Sequence, residues 1–236
     1  MFKTISLKIA PPQPEDVNLG FELFKDCNQA LVRTCRSKVL INDPAHQWPH
    51  VVAVGEMGVR IAKKLNVDPK PFLLAALCHD IFSTLEREHH HEAAGKWVRE
   101  HLGTFESPRY VEVVARMCEE HRASYKGEYS GLFEEAFASA DRGPIGLDCD
   151  AAMYWRSFQY TKAKNPAMPI ISVCAKVSEH MIEKFGSNGY AKWPDLYRSL
   201  FGDELEAMQK RFDALDTPAS VSILLANAGY IVRDEN

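Results

Sequence analysis

Six ionisable side chains of this 236-residue chain lie on apolar faces of predicted helices: His50, His79, Asp80, His91, His121 and Asp141. His50, for example, shares one helical face with apolar residues four, seven, eleven and fifteen positions later. Burying such groups costs free energy unless they are paired or bind a cation. One shared metal ion would compensate all six, and their imidazole and carboxylate groups suit Zn, Mn, Fe or Co.

Three of these residues also have a plainer interpretation. A single histidine on an apolar stripe is more often a hydrogen-bonded core residue than a ligand, which applies to His91 and His121 taken alone. Asp141 precedes Arg-Gly, a context typical of a helix end or turn. We expect the neighbouring His89 and His90 to form a solvated patch. The prediction of a metal site therefore depends on the set and not on any one member.

The elements that must position these residues are helices. Apolar periodicity and Pro, Gly and Asn punctuation predict helices over 17–40, 49–65, 69–82, 90–102, 108–122, 131–141, 150–163, 169–185 and 194–214. The helix over 69–82 is apolar nearly all round, which predicts a buried element. Residues 1–16 carry a proline cluster and are expected to be an extended arm. No alternating strand pattern is found, so the predicted class is all-α.

Composition narrows the functional classes. The net charge of the chain is −4, so it has no overall positive field that would attract nucleic acid. Nucleic acid is therefore not expected as a partner. The absence of an apolar run of about 18 residues predicts that the chain does not span a membrane. Six cysteines form no CxxC pair and no disulfide framework is expected, so a cytoplasmic location is predicted.

The order His50, His79-Asp80, Asp141 resembles that of the HD superfamily of metal-dependent phosphohydrolases. The segment DPAHQWPHVVAVGEMGVRIA (43–62) is similar to the opening of that family, and LLAALCHDIF (73–82) to its apolar helix ending in HD. The segments HHEAAGKWVREHL (90–102), EEHRASYKGE (119–128) and FASADRGPIGLD (137–148) resemble the later His-bearing and Asp-bearing segments. An HD pair with a histidine 29 residues upstream and a downstream Asp is a specific pattern.

The resemblance implies an HD-type helical bundle over 43–148. Outside it, the residue pattern predicts an arm and helix at 1–42 and a helical extension at 149–236 that packs on the core, where it would cap the pocket or provide a homodimer surface. His50, His79, Asp80 and Asp141 would coordinate a divalent ion, Mn, Co, Zn, Fe or Mg. The ion would polarise a phosphoryl oxygen and activate water. The substrate implied is a small-molecule phosphate, a nucleotide, and the opening at 43–62 favours nucleoside triphosphates.

Roles for the remaining candidates stay open at the level of sequence. His91 and His121 would contact phosphate, protonate a leaving oxygen, or bind a second metal ion that Asp80 bridges to the first. Arg122, Lys126 and Arg142 follow ligand candidates closely and are candidates for phosphate binding, although each is equally compatible with a solvated surface cation.

Two other functional classes fit the same residues. Some HD-fold enzymes are oxygenases with two irons held in the order His, His-Asp, His, His, Asp, which His50, His79-Asp80, His91, His121 and Asp141 also supply. The third class is a non-catalytic, nucleotide-binding regulatory protein. The complete set of four metal-ligand candidates argues against that third class.

Overall fold

The computed structural model describes residues 22–143 and 147–230, apart from the side chains of residues 147 and 148. The predicted all-α class is confirmed, since the described residues form helices and turns and contain no strand. None of the helices in these ranges is long and apolar enough to cross a membrane. The predicted arm at 1–16 lies outside the described residues.

The described residues fall into two compact units. The first unit comprises 22–143 with 192–200, and the second comprises 147–191 with 201–230. The helices of the first unit are α1 (Gln29–Val39), α2 (Trp48–Leu65), α3 (Lys70–Cys78), α4 (His90–His101), α5 (Val111–Glu120) and α6 (Leu132–Asp141). Three 3-10 turns, at Pro44–His46, Leu102–Thr104 and Pro108–Tyr110, lie between them.

Helix α3 is the centre of the first unit. Every residue of α3 after Lys70 is buried, and the helix packs against α1, α2, α5 and α6. A helix that is apolar on all sides gains free energy only when it is surrounded, so its neighbours have to converge on it. Because α3 ends at Cys78, the following residues, His79 and Asp80, enter the structure at the point where those neighbours meet.

The second unit is built from α7 (Leu147–Lys164), α8 (Ile170–Phe185), the later part of α9 (Asp195–Asp213) and α10 (Pro218–Asn227). Helices α7, α8 and α10 pack on one another. Helix α9 contains a non-helical residue, Phe201, and the boundary between the two units falls there. Within the second unit, Arg211 donates two hydrogen bonds, of 2.6 and 3.1 Å, to the buried carboxylate of Asp150.

The observed helix bounds follow the predicted ones with three notable differences. The helix predicted over 17–40 is interrupted by a turn at 24–27, and α1 begins only at Gln29, after its capping residue Asn28. The helix predicted over 69–82 ends at Cys78, after which hydrogen bonds tighten to three-residue spacing, as from Ser83 N to Asp80 O at 3.1 Å. Helix α10 was not predicted; its start is defined by a reciprocal cap between Thr217 and Ser220.

Helices α2 and α3 pack closely at Gly58. A Cβ added at Gly58 would lie 2.8 Å from Cβ of Phe72, which is fully buried. We expect Gly58→Ala to force the two helices apart and to destabilise the fold by about 1–3 kcal/mol. Urea unfolding followed by circular dichroism would measure this change.

The matched control is Gly103→Ala, since the nearest atom to its added Cβ, Val111 Cγ2, lies at an ordinary 3.7 Å. This variant is expected to remain within about 0.5 kcal/mol of the wild type. Equal stabilities of the two variants would contradict the close packing of α2 on α3.

Candidate metal centre

All members of the candidate site lie at the ends of helices in the first unit. His50 is in the first turn of α2, His79 and Asp80 follow α3, and His121 follows α5. Asp141 is the last residue of α6. These helix ends converge because α2, α5 and α6 all pack on α3. The packing of apolar faces therefore brings together residues that are up to 91 positions apart in the sequence.

His50, His79 and Asp141 form the first group. The Nε2 atoms of His50 and His79 are 3.2 Å apart, and Asp141 Oδ1 lies 3.2 Å from the former and 3.6 Å from the latter. The three side chains offer ligand atoms within 4.8 Å of one another. This is a compact arrangement of two imidazole nitrogens and a carboxylate oxygen.

Asp80, His90 and His121 form the second group. His90 Nε2 lies 3.4 Å from Asp80 Oδ1 and 3.3 Å from His121 Nε2, while His121 Nε2 is 3.9 Å from the same carboxylate oxygen. The ligand atoms of this group also lie within 4.8 Å of one another.

The carboxylate of Asp80 joins the two groups. Its Oδ2 atom lies 3.4 Å from His50 Nε2 and 3.3 Å from His79 Nε2, whereas Oδ1 faces the second group. The residue is only 3% exposed. One buried carboxylate therefore presents an oxygen to each pair of histidines.

Three of the histidines are held in one tautomer by the backbone. Nδ1–H of His79 donates to Ala76 O at 3.0 Å, that of His90 to Arg87 O at 2.9 Å, and that of His121 to Cys118 O at 2.6 Å. A carbonyl oxygen can only accept, so Nδ1 carries the proton and a neutral ring has its lone pair on Nε2. The Nε2 atoms face the two groups, which is the orientation that a metal ligand requires.

The electrostatics of the first group favour a positive charge at its centre. Burial lowers the pKa of His79, but the carboxylates of Asp80 and Asp141 outweigh this effect and raise it to about 10. Burial raises the pKa of each carboxyl group, yet the surrounding histidines hold both values well below the usual range. The two carboxylates therefore remain charged and compensate a cation beside them.

The second group favours neutral imidazole. Burial lowers the pKa of His121 to about 3, against the opposing charge of Asp141, and burial also lowers the pKa of His90. Neutral imidazole is the form that binds a metal ion. Imidazole nitrogen and carboxylate oxygen together fit Zn, Mn, Fe or Co, so the donor set of both groups is compatible with a divalent ion.

His90, and not His91, is the residue that the structure places in the second group. The expectation that His90 is solvated is wrong, since its side chain is 12% exposed, whereas that of His89 is 67% exposed. Because α4 begins at His90, the bond to Arg87 O turns this ring back toward Asp80. His91 lies on the same helical face as buried Ala94, as its periodicity indicated, and is not in either group.

The three predicted phosphate-binding cations have different environments. Arg122 is half-buried, donates to Glu88 O, and lies close enough to His90 and His91 for its charge to lower the pKa of both rings, behind the larger effect of burial. Lys126 is exposed. Of Arg122 and Lys126, Arg122 is therefore the cation that the structure associates with the centre.

Arg142 is held by backbone carbonyls beside the centre, and its role in phosphate binding stays a prediction. It is 7% exposed, and it donates to His121 O at 2.8 Å, to Arg122 O at 3.2 Å and to Lys192 O at 3.2 Å. Its Nη1 also lies 4.0 Å from Asp141 Oδ2. The three bonds to carbonyls tie the end of α5 to the end of α6, and they use three of the five N–H donors of the guanidinium. Sequence reasoning could not find this, because the carbonyl partners of a buried arginine have no sequence pattern.

Comparison with known proteins identifies the family. A model of the HD domain matches residues 48–184, which is more than half of the chain, so the protein belongs to the HD-domain family. The chain is also similar to the crystal structure of a predicted HD superfamily hydrolase from an uncultured Thermotogales bacterium. The two are 20% identical over 86% of this chain and 93% of that chain, with a TM-score of 0.42. No curated protein matches the sequence.

Replacement of Asp80 and of Asp141, one at a time, should distinguish metal binding at the first group from metal binding at the second. Asp80→Ala removes an oxygen from both groups, so we expect Mn²⁺ affinity to fall at least about 100-fold throughout. Asp141→Ala removes a ligand candidate from the first group alone and should leave binding at the second. Titration calorimetry and elemental analysis would measure affinity and stoichiometry, with His89→Ala as the control. Unchanged Mn²⁺ binding by Asp80→Ala would refute the centre.

The structural role of Arg142 has its own test. Arg142→Ala leaves three carbonyl oxygens without their donor, and we expect a loss of about 2–4 kcal/mol in unfolding free energy. Arg142→Lys should recover little, because an ammonium group cannot span three separate carbonyls. Arg33→Ala, at an exposed position of α1, is the matched control for urea unfolding. A stable Arg142→Ala variant would contradict this role.

Proposed function

We propose that this protein is a metal-dependent phosphohydrolase that acts on a nucleotide, a nucleoside or deoxynucleoside phosphate. Membership of the HD-domain family and the two His/Asp groups support a metal-dependent hydrolase. The observation that carries the proposal is the buried carboxylate of Asp80, which presents one oxygen to each pair of histidines.

The proposal assigns metal binding and phosphate binding to different residues of the chain. His50, His79, Asp80 and Asp141 would hold a divalent ion, and His90 and His121 would hold a second ion together with Asp80. When bound, such an ion supplies a Lewis acid for a phosphoryl oxygen and lowers the pKa of water. Arg122 would contact a phosphate of the substrate, because a guanidinium group binds phosphate in a bidentate manner.

The nucleotide part of the proposal rests on the similarity of segment 43–62 to nucleotide-hydrolysing members of the family. Trp48, within that segment, is 6% exposed, and its ring centroid is 5.6 Å from that of Phe24. It is therefore a core residue and does not stack on a base. The base and sugar would be recognised by other groups, so the substrate has to be found by direct assay.

The test is a panel of nucleoside mono-, di-, tri- and cyclic phosphates incubated with Mn²⁺, Co²⁺, Mg²⁺ or Zn²⁺. Chromatography of the products would identify both the substrate and the bond that breaks. We expect turnover that needs a divalent ion and that Asp80→Ala reduces at least about 1000-fold, because removal of this oxygen disrupts both groups. His89→Ala should retain wild-type turnover. Turnover by Asp80→Ala at the wild-type rate would refute the mechanism.

A second candidate function is a di-iron oxygenase. It is favoured by the order of donors that the structure brings together, which is His50, His79-Asp80, His90, His121 and Asp141. Protein purified from iron-supplemented cells would then contain two irons per chain and consume dioxygen with an organic substrate. Hydrolysis of a nucleotide without oxygen consumption would exclude this candidate, and the absence of both activities would favour a regulatory nucleotide-binding protein.

A further inference from the structure

The segment 42–46 precedes α2, and a hydrogen bond joins it to the backbone of the HD pair. Asp43 accepts from Nδ1–H of His46 with both carboxylate oxygens, at 2.9 and 3.0 Å. It also accepts from Ala45 N at 3.0 Å and from Arg87 Nη1 at 3.3 Å. Since four contacts fix the carboxylate of Asp43, the His46 ring is held in one orientation.

Asn42 fixes the same segment to the HD pair. Its buried side-chain Nδ2 donates to His46 O at 3.0 Å and to Asp80 O at 2.8 Å. The side-chain amide of Asn42 therefore links the backbone of His46 with the backbone of Asp80, whose carboxylate joins the two groups. This link makes the position of His46 depend on the position of Asp80.

The ring of His46 lies at the edge of the centre. It packs edge-to-face on the ring of His50, with centroids 5.7 Å apart, and the negative charges of Asp80 and Asp141 act on it. Its side chain is 34% exposed, far more than that of His50 at 12%. Within the described residues, Nε2 of His46 makes no hydrogen bond.

We propose that His46 contacts the substrate through Nε2 at the edge of the metal centre, and that Asp43 is the residue that positions it. This inference rests on the proposed function, since it places a hydrogen-bonding group of the chain beside the phosphate. Because Nδ1 is committed to Asp43, a single ring nitrogen is left for the substrate, and its direction is set by the fold. His46 is not in either ligand group.

The first test is the binding of inorganic pyrophosphate to Mn²⁺-loaded protein by titration calorimetry. His46→Asn is the informative variant, because its amide can still donate to Asp43 while the distal ring nitrogen is lost. We expect Mn²⁺ affinity within about threefold of the wild type and pyrophosphate affinity about 10- to 100-fold weaker, which corresponds to one lost hydrogen bond to a charged group. Pyrophosphate binding equal to that of the wild type would overturn the proposal.

The second test asks whether Asp43 acts through His46. If it does, Asp43→Asn should weaken pyrophosphate binding in the wild-type background and have no further effect when combined with His46→Asn. Additive effects would show that Asp43 has only a structural role and would overturn its assignment as the positioning residue. Asp68→Asn is the matched control, since Asp68 likewise accepts from a backbone amide, that of Lys70 at 2.9 Å.

The outcomes separate this proposal from the one on which it rests. A protein that binds Mn²⁺ and pyrophosphate but hydrolyses no nucleotide would refute the proposed function, while the His46→Asn comparison would still decide the role of His46. A wild-type protein that binds Mn²⁺ but no pyrophosphate would overturn the role of His46 itself, because Nε2 would have no anion to contact.

Discussion

The burial of one carboxylate, that of Asp80, is the constraint on which the rest of the site depends. A charged carboxylate almost completely removed from water is costly unless positive or hydrogen-bonding groups surround it. Here four imidazole rings from four helix ends approach its two oxygens. The terminus of each of these four helices must lie at the correct place for its histidine to reach Asp80. The packing of the first unit therefore determines the geometry of the centre.

The backbone prepares the ligands before any ion binds. Three histidines donate Nδ1–H to the carbonyl oxygen three residues earlier, a bond available only where the helical hydrogen-bond ladder is ending or has not yet begun. The carbonyl groups beside these helix ends thus define the tautomer of the rings. Ligands oriented in this way lose less conformational entropy when they bind a metal ion.

Much of this arrangement could be predicted from the sequence. The apolar stripes indicated the helices, the all-round apolar character of 69–82 indicated the buried central helix, and the HD pattern singled out four residues that the structure brings together. Periodicity correctly places His91 on the apolar face of α4, but the ring of His90 is directed to the second group by its bond to Arg87 O, which periodicity does not report. Contacts to backbone carbonyls leave no trace in the sequence, so the role of Arg142 and the link made by Asn42 became visible only in the structure.

The close approach of α2 to α3 at Gly58 extends the site well beyond its ligands. A helix is stiff over a few turns, so a tilt introduced at Gly58 would be carried eight residues along α2, about 12 Å, to His50. The spacing between His50 and His79 therefore depends in part on the absence of a side chain at Gly58, where α2 packs on α3. A library of variants limited to residues around the metal centre would omit Gly58. Such a library would therefore miss a position that affects the spacing of the ligands.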